Sequence, residues 1–202
     1  MSREVVVTGR GVVTSVGTGA DEFVEALLAG ASGVRQSSEE GAPATAPCAD
    51  FDPEAWMTPK EARRTDRFAQ LAMAAAKTAM SDSGINMAEE NLDRFGVLVS
   101  SGIGGLKTLE DQYTVLLTKG PQRVSAFTIP MLISNMASGL ISMEFGMRGP
   151  NMCIVTACAT SNNAIGESWR MIKFGDADVF LAGGSEAAIR NTRPASGWLL
   201  AA

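Results

Sequence analysis

The sequence predicts an α/β fold with a largely parallel sheet covered on both faces. Three observations lead there. Short apolar, β-branched runs alternate with longer segments of helical spacing. The helical segments are long enough to serve as the crossovers that parallel strands need. Glycine, at 21 residues, falls at the ends of the periodic segments, where it closes helices and makes turns. No repeat of short period interrupts the pattern.

Residues 4–8, "EVVVT", make the first expected strand, ended by "GRGVVTSVGTG". A short helix follows over Asp21–Ala29, with Phe23, Leu27 and Leu28 on one face and Gly30 past its end. Residues 30–59, rich in Gly, Ser, Pro and acidic groups, predict a surface connection, with Phe51 and Trp56 of "FDPEAWM" tucked onto the body. A longer helix opens at Thr65 or Asp66, either of which can cap it. Phe68, Leu71, Ala72, Ala75 and Ala79 repeat along it, and Gly84 sits where a left-handed terminus belongs. Its alanines predict close packing.

"RFGVLVSSG" (94–102) is the next buried strand, turned by Gly102, Gly104 and Gly105. Leu106, Leu109, Tyr113, Leu116 and Leu117 mark a helix closed by Gly120-Pro121. Pro130 opens another, with Leu132, Met136, Leu140 and Met143 on one side and Gly146 near its end. "MCIVTA" (152–157) is a strand. Ser161–Phe174 is a helix, with Ile165, Ser168, Trp169 and Ile172 facing inward and Gly175 at its end, and "ADVFLAGG" (177–184) is the last strand. After Ile189, "RNTRPASGWLLAA" lacks periodicity. The domain is therefore expected over 1–189 and a tail outside the fold over 190–202.

Composition narrows the function. The 202 residues, 46% hydrophobic and 19% charged, suffice for one domain or a tightly joined pair. A net charge of −5 argues against a general nucleic-acid binder. No run approaches the ~18 apolar residues of a membrane span. "MSREVVVTG" enters a strand-like run at once, with no room for a signal or transit peptide, although a mature plastid chain would look the same. Cys48, Cys153 and Cys158 form no metal-ligand pattern, and their odd number argues against a disulfide framework. A reducing compartment, cytoplasm or plastid stroma, is the expected setting.

One cysteine stands out. Within "VTACATSNN" (155–163), Cys158 follows a strand and lies at the mouth of the next helix. The first amides of a helix lack intrahelical partners, and the macrodipole adds partial positive charge there. A free thiol with pKa ~8.5 is about 3% thiolate at pH 7. A helix end worth roughly 0.3–2 kcal/mol lowers a pKa by about 0.2–1.5 units, so a nucleophile is expected without any histidine. Ala157 and Ala159 leave space beside the sulfur, and the Cys158 amide can face an oxyanion, the logic of a nucleophile elbow. Position alone fits a small buried hydrophobe equally well. For Cys153, inside its strand, and Cys48, in the long connection, that plain packing role is the expectation. "TGRGVVTSVG" and "SGIGGL" both miss the GxGxxG spacing of a dinucleotide loop.

Taken in order, "VVVTGRGVV", "KEARRTDRF", "SSGIGGL" and "GMRGPNMCIVTACATSNNAIGESWRMIKFGDADVFLAGGSEAA" resemble the elongating β-ketoacyl-acyl carrier protein synthases of the synthase I/II group. The resemblance covers residues 3 to about 189 and is to the N-terminal half of such an enzyme. It implies a thiolase-like fold, in which two similar βα halves form an αβαβα body and two chains a dimer. The present chain would be the N-terminal half of that body. It further implies that Cys158 takes the acyl group from a carrier-protein thioester, after which malonyl-carrier protein loses CO₂ and attacks the acyl carbonyl. Ile103 matches the residue that gates the acyl pocket, Thr128 lies where an aromatic often meets the partner subunit's pocket, and Ala157 flanks the sulfur. Strand 152–157 matches the edge that pairs across the two-fold. Lys60, Arg63 and Arg64 match a basic patch for the acidic acyl carrier protein, opposite in sign to the chain as a whole. A solvated helix start is the plain alternative for that patch. No cofactor or metal is implied.

The departure from the family is large. Its members are about twice as long, and their second half supplies two histidines, a lysine, a phenylalanine gate and the second oxyanion amide. This sequence has no histidine. The expectation is a truncated synthase of fatty acid elongation, competent for acylation of Cys158 but not for condensation. The competing expectation is a non-catalytic dimerisation or carrier-docking fragment. A thiolase acting on coenzyme A esters ranks lower, because the flanking blocks resemble synthases.

Overall fold

The computed structural model describes residues 3–36 and 43–189. The expected tail over 190–202 and the middle of the 30–59 connection lie outside the described residues. β1 (Val13–Thr14) and β2 (Gly17–Thr18) form a minimal antiparallel hairpin ahead of α1 (Ala20–Leu28). α2 (Pro59–Ala62) opens on a reciprocal cap, in which the Thr58 hydroxyl accepts from the Glu61 N–H while the Glu61 carboxylate accepts from the Thr58 N–H. α3 (Arg67–Ser83), β3 (Phe95–Ser100), α4 (Leu106–Lys119), α5 (Thr128–Leu132), α6 (Met136–Phe145), α7 (Thr160–Phe174) and β4 (Val179–Gly184) follow.

β3 and β4 pair in parallel, in register from Phe95 opposite Val179 to Ser100 opposite Gly184. This is the pairing that the alternation of strands and helices predicts, with α7 as the crossover helix packed on both strands. Every residue of β3 is buried. Phe95, Val97 and Val99 join Phe68, Ala72, Met73 and Ala76 of α3 and Ala137 and Ile141 of α6 in one core. Alternation along the strand turns Leu98, also fully buried, to the opposite face. Burying a Phe or Leu contributes about 1.5–3 kcal/mol each, so β3 is the best-secured element. The alanines of α3 act as expected, since they let other backbone approach closely. A Cβ on Gly11 would lie 1.7 Å from the Ala75 carbonyl oxygen.

Two expected strands do not form ladders. Residues 4–8 are held at their ends instead. The Arg3 guanidinium donates to Asp178 (2.7 Å), and the Arg10 N–H donates to the Asp82 carboxylate (2.8 Å). Val6 and Val7 are 68% and 82% exposed. Residues 152–157 run beside β3, but two serine hydroxyls stand in for backbone partners. Ser138 Oγ accepts from the Val99 N–H (2.8 Å) and can donate to the Val99 and Met152 carbonyls, while Ser100 Oγ accepts from the Ile154 N–H (3.1 Å). Only a bridge at Val97 and Asn151 remains of a ladder.

Helix faces also differ from the periodicity. Pro130 lies inside the first turn of α5, not at the start of a long helix, and extended backbone at Ile133 separates α5 from α6. On α6 the buried side is Ala137, Ser138 and Ile141, whereas Met143 is exposed. On α7 it is Thr160, Ala164, Ser168 and Met171, and Ile165 and Trp169 point outward. Leu109, Tyr113, Leu116 and Leu117 of α4 are exposed as well. The small and hydroxyl residues pack inward because α7 lies close to the strand ends, where a Cβ on Gly184 would meet Ser161 Cβ at 2.9 Å. Asp66 caps α4 rather than its own helix. Its carboxylate accepts from the Thr108 N–H (3.0 Å) and hydroxyl (2.6 Å).

Candidate active site

Cys158 is exposed and sits in a single 3₁₀ turn, Ala157–Ala159, that runs directly into α7. The turn is entered through Ala157, whose φ of +51° makes it the one non-glycine residue with positive φ among the described residues. That left-handed conformation costs an L-residue roughly 1–2 kcal/mol. Neighbouring polar groups hold it. The Thr156 N–H donates to Thr160 Oγ1 (2.9 Å), and the Asn163 side-chain amide donates to Thr156 Oγ1 (2.7 Å) and to the Ala159 carbonyl (3.2 Å). Within the turn, the Ala159 N–H bonds the Thr156 carbonyl (3.1 Å) and the Thr160 N–H bonds the Ala157 carbonyl. The Cys158 N–H lies outside that ladder. No side chain caps α7, since its cap position is Ala159.

The elbow meets the carboxyl ends of both parallel strands, the position where open α/β sheets present their sites. Gly102, just beyond β3, lies against it, and a Cβ there would be 3.7 Å from Ala157 Cα. Ile103, 38% exposed, follows on the same turn. That turn also rests on α5. The Gly105 N–H donates to the Leu132 carbonyl (2.9 Å), and a Cβ on Gly104 would come within 2.3 Å of that oxygen. Thr128, half-buried, begins α5 and donates its hydroxyl to the Ser125 carbonyl (2.6 Å). Ala157, Ile103 and Thr128 are therefore carried by elements in contact with one another.

Lys60, in α2, and Arg63 and Arg64, just beyond it, are all exposed. Arg64 is not a free cation, because its guanidinium lies over the Phe127 ring at 4.5 Å. That contact joins the basic patch to the residue before Thr128. Cys153 is half-buried, with its sulfur 4.0 Å from the Ser101 carbonyl. Cys48 is half-buried too, and burial pushes its thiol up while Arg67 partly opposes this. Two surface concavities, one bordered by Arg10 and Asp82 and one by Val16, Cys48 and Phe51, have no lining residue from the elbow. Among the described residues no group of three or more His, Cys, Asp or Glu is placed to hold a metal ion. No described helix is long and apolar enough to cross a membrane.

The sequence alone did not single out Thr156, Thr160 and Asn163, which hold the elbow. Their spacing around Cys158, four residues apart and then three, is the pattern that could have revealed them. Glu186 was missed as well. Its carboxylate accepts from Ser101 Oγ (3.0 Å) and from the Gly102 N–H (2.9 Å), and nothing local in the sequence links position 186 to position 101.

The curated relatives described next carry the name 3-oxoacyl-[acyl-carrier-protein] synthase 2. A 3-oxoacyl-[acyl-carrier-protein] synthase 2 from Synechocystis is 44% identical over 93% of this chain and 46% of its own length. A protein of the same description from Coxiella burnetii is 45% identical over 92% of this chain and 46% of its own length. The chain thus spans about half the length of the curated relatives it matches. Among solved structures, the ishigamide ketosynthase/chain length factor superposes with a TM-score of 0.83 at 28% identity, over 94% of this chain and 49% of that one. The fold is accordingly α/β, the thiolase-like N-terminal half. The model of the β-ketoacyl synthase N-terminal domain matches residues 2–196, nearly the whole sequence, and the chain belongs to the β-ketoacyl synthase family.

Proposed function

We propose that Cys158 is the acyl-accepting nucleophile of a 3-oxoacyl-[acyl-carrier-protein] synthase of fatty acid elongation, and that this chain carries the acyl-transfer part of that activity. One observation carries the reading. An exposed thiol stands on a left-handed turn at the mouth of α7, where the parallel strands end. The names of the relatives support the substrate class.

In this reading the Cys158 sulfur attacks the thioester carbonyl of an acylated carrier protein. The carbon–sulfur bond to the carrier breaks, and the carrier thiol leaves with the proton that Cys158 gave up. The α7 terminus and the Cys158 N–H favour the negative charge that builds up on sulfur and then on the carbonyl oxygen. Ile103, Thr128 and Ala157 border the acyl chain, and Lys60, Arg63 and Arg64 meet the acidic carrier. Condensation with malonyl-acyl carrier protein belongs to a two-half body assembled as a homodimer, because its decarboxylation draws on histidines and these 202 residues contain none. Alone, the chain is expected to stop at the acyl-enzyme, in a reducing compartment such as the cytoplasm or plastid stroma.

The test is incubation with acyl-acyl carrier protein followed by intact mass measurement. The chain should gain one acyl group, and Cys158→Ala should gain none. Labelling that persists in Cys158→Ala would overturn the assignment.

A second reading, a non-catalytic dimerisation or carrier-docking module, is favoured by the exposed apolar faces of α4 and α7, including Tyr113, Leu117, Ile165 and Trp169. Carrier pull-down with Lys60, Arg63 and Arg64 changed to Glu, beside Cys158→Ala, separates the two. A docking module binds the carrier and is never acylated.

A further inference from the structure

We propose that Glu186 is a positioning residue for the acyl site, clamping the Ser101–Gly105 turn so that Ile103 is held against the Cys158 elbow. The inference rests on the reading of Cys158 and Ile103 given above.

The clamp begins in the sheet. The Ser185 N–H donates to the Ser100 carbonyl (2.9 Å), which carries the β3–β4 pairing one residue past β4. The Ser185 hydroxyl donates to the Phe68 carbonyl at the start of α3 (2.7 Å). These two bonds fix the direction in which Glu186 leaves the sheet. One carboxylate oxygen then accepts from the Ser101 hydroxyl (3.0 Å) and the other from the Gly102 N–H (2.9 Å). The Ser101 oxygen in turn accepts from the Gly104 N–H (2.9 Å). Bonds to an ionised acceptor run about twice as strong as neutral ones.

Ile103 therefore stands between two glycines whose amides are both tied down. This matters because "SGIGGL" is otherwise a turn of low intrinsic stiffness. Gly102 lies between clamp and elbow. A Cβ on Gly102 would come within 2.9 Å of Glu186 Oε2 and 3.6 Å of the Ala157 carbonyl oxygen. Displacing the carboxylate displaces the turn relative to the thiol. Glu186 touches no reacting atom in this arrangement and acts through Gly102 and Ile103.

The test compares the chain with Glu186→Gln and Glu186→Ala. A Gln at 186 can still accept from the Gly102 N–H and donate to Ser101 Oγ, so it keeps the geometry with weaker bonds. An Ala keeps neither bond. Hydrogen exchange of peptides spanning 101–105 should quicken about tenfold in Glu186→Ala and less in Glu186→Gln, with β3 amides unchanged. The ratio of Cys158 acylation rates from long-chain and short-chain acyl carrier proteins should shift about threefold or more in Glu186→Ala, with partial rescue in Glu186→Gln. A loop staple with no role in substrate choice would alter exchange and leave that ratio alone, which would overturn the inference while the role of Cys158 stands. If the unmodified chain is not acylated at all, the reading of Cys158 fails and this inference fails with it.

Discussion

Ser138→Ala reaches the segment that carries Cys158 without touching it. Ser138 is 0% exposed, and its hydroxyl serves three backbone groups. It accepts from the Val99 N–H at 2.8 Å and faces the Val99 and Met152 carbonyls at 3.1 and 3.0 Å. The substitution leaves a buried N–H near the end of β3 with no acceptor and removes a tie to residues 152–157. A buried polar group left unsatisfied costs about 1–3 kcal/mol, so a loss of about 2 kcal/mol is expected. In a chain of this size that lowers Tm by about 4–8 °C. Ser142→Ala is the matched control. Its hydroxyl makes one bond, to the Met147 carbonyl (2.6 Å), at a half-buried site, and its loss should cost about 1 kcal/mol or less. Urea unfolding followed by circular dichroism reads both, with an unchanged m-value required for the comparison. A Ser138→Ala shift no larger than that of Ser142→Ala would refute the idea that this hydroxyl substitutes for strand pairing.

Four further outcomes follow from particular residues. The Arg94 guanidinium, with Arg3 behind it, holds the Asp178 carboxyl down from 3.8 to about 2. Because the folded value is the lower one, this contribution is complete above about pH 4 and lost as pH falls through about 2. In urea titrations the gap between the chain and Asp178→Asn should therefore close on acidification over that window, and a gap that widens would contradict it. Gly11→Ala should destabilise the chain by roughly 1–3 kcal/mol in thermal melts, since its Cβ would sit 1.7 Å from the Ala75 oxygen. Reversing the charge of Lys60 and Arg63 should weaken binding of a fluorescent acyl carrier protein strongly at low ionic strength and little at high. Arg64→Glu should also slow acylation of Cys158, because it removes the cation from the Phe127 ring.

The sequence revealed those elements whose two ends are both written locally. α3 is bounded by Asp66 and by Gly84, which adopts the left-handed φ of 65° expected of a helix terminus. β3 and β4 are continuous apolar runs, and their parallel pairing follows from the helical crossover between them, which ends in α7. The thiol's place at the mouth of α7 was legible for the same reason. What stayed hidden depends on distant partners. "EVVVT" and "MCIVTA" have the composition of strands, yet the first is flanked by side-chain ties at Arg3 and Asp82, and along the second Ser138 and Ser100 take the place of strand partners at Met152 and Ile154. Ser168 faces inward as expected, but the rest of the inward faces of α6 and α7 went to residues such as Ser138, Thr160 and Ala164 rather than to Met143, Ile165 and Trp169, because hydrogen bonds and close approach outweighed hydropathy there. Small neighbours of Cys158 predicted room beside the sulfur. They gave no hint that Ala157 would turn left-handed, a conformation set by Thr156, Thr160 and Asn163.

Intact mass and peptide mapping after exposure to acyl-acyl carrier protein read which residue takes the acyl group. A single thioester adduct is expected on the peptide containing Cys158, absent from Cys158→Ala and removed by hydroxylamine. An adduct on Cys48 or Cys153, or none on a folded chain, would contradict it.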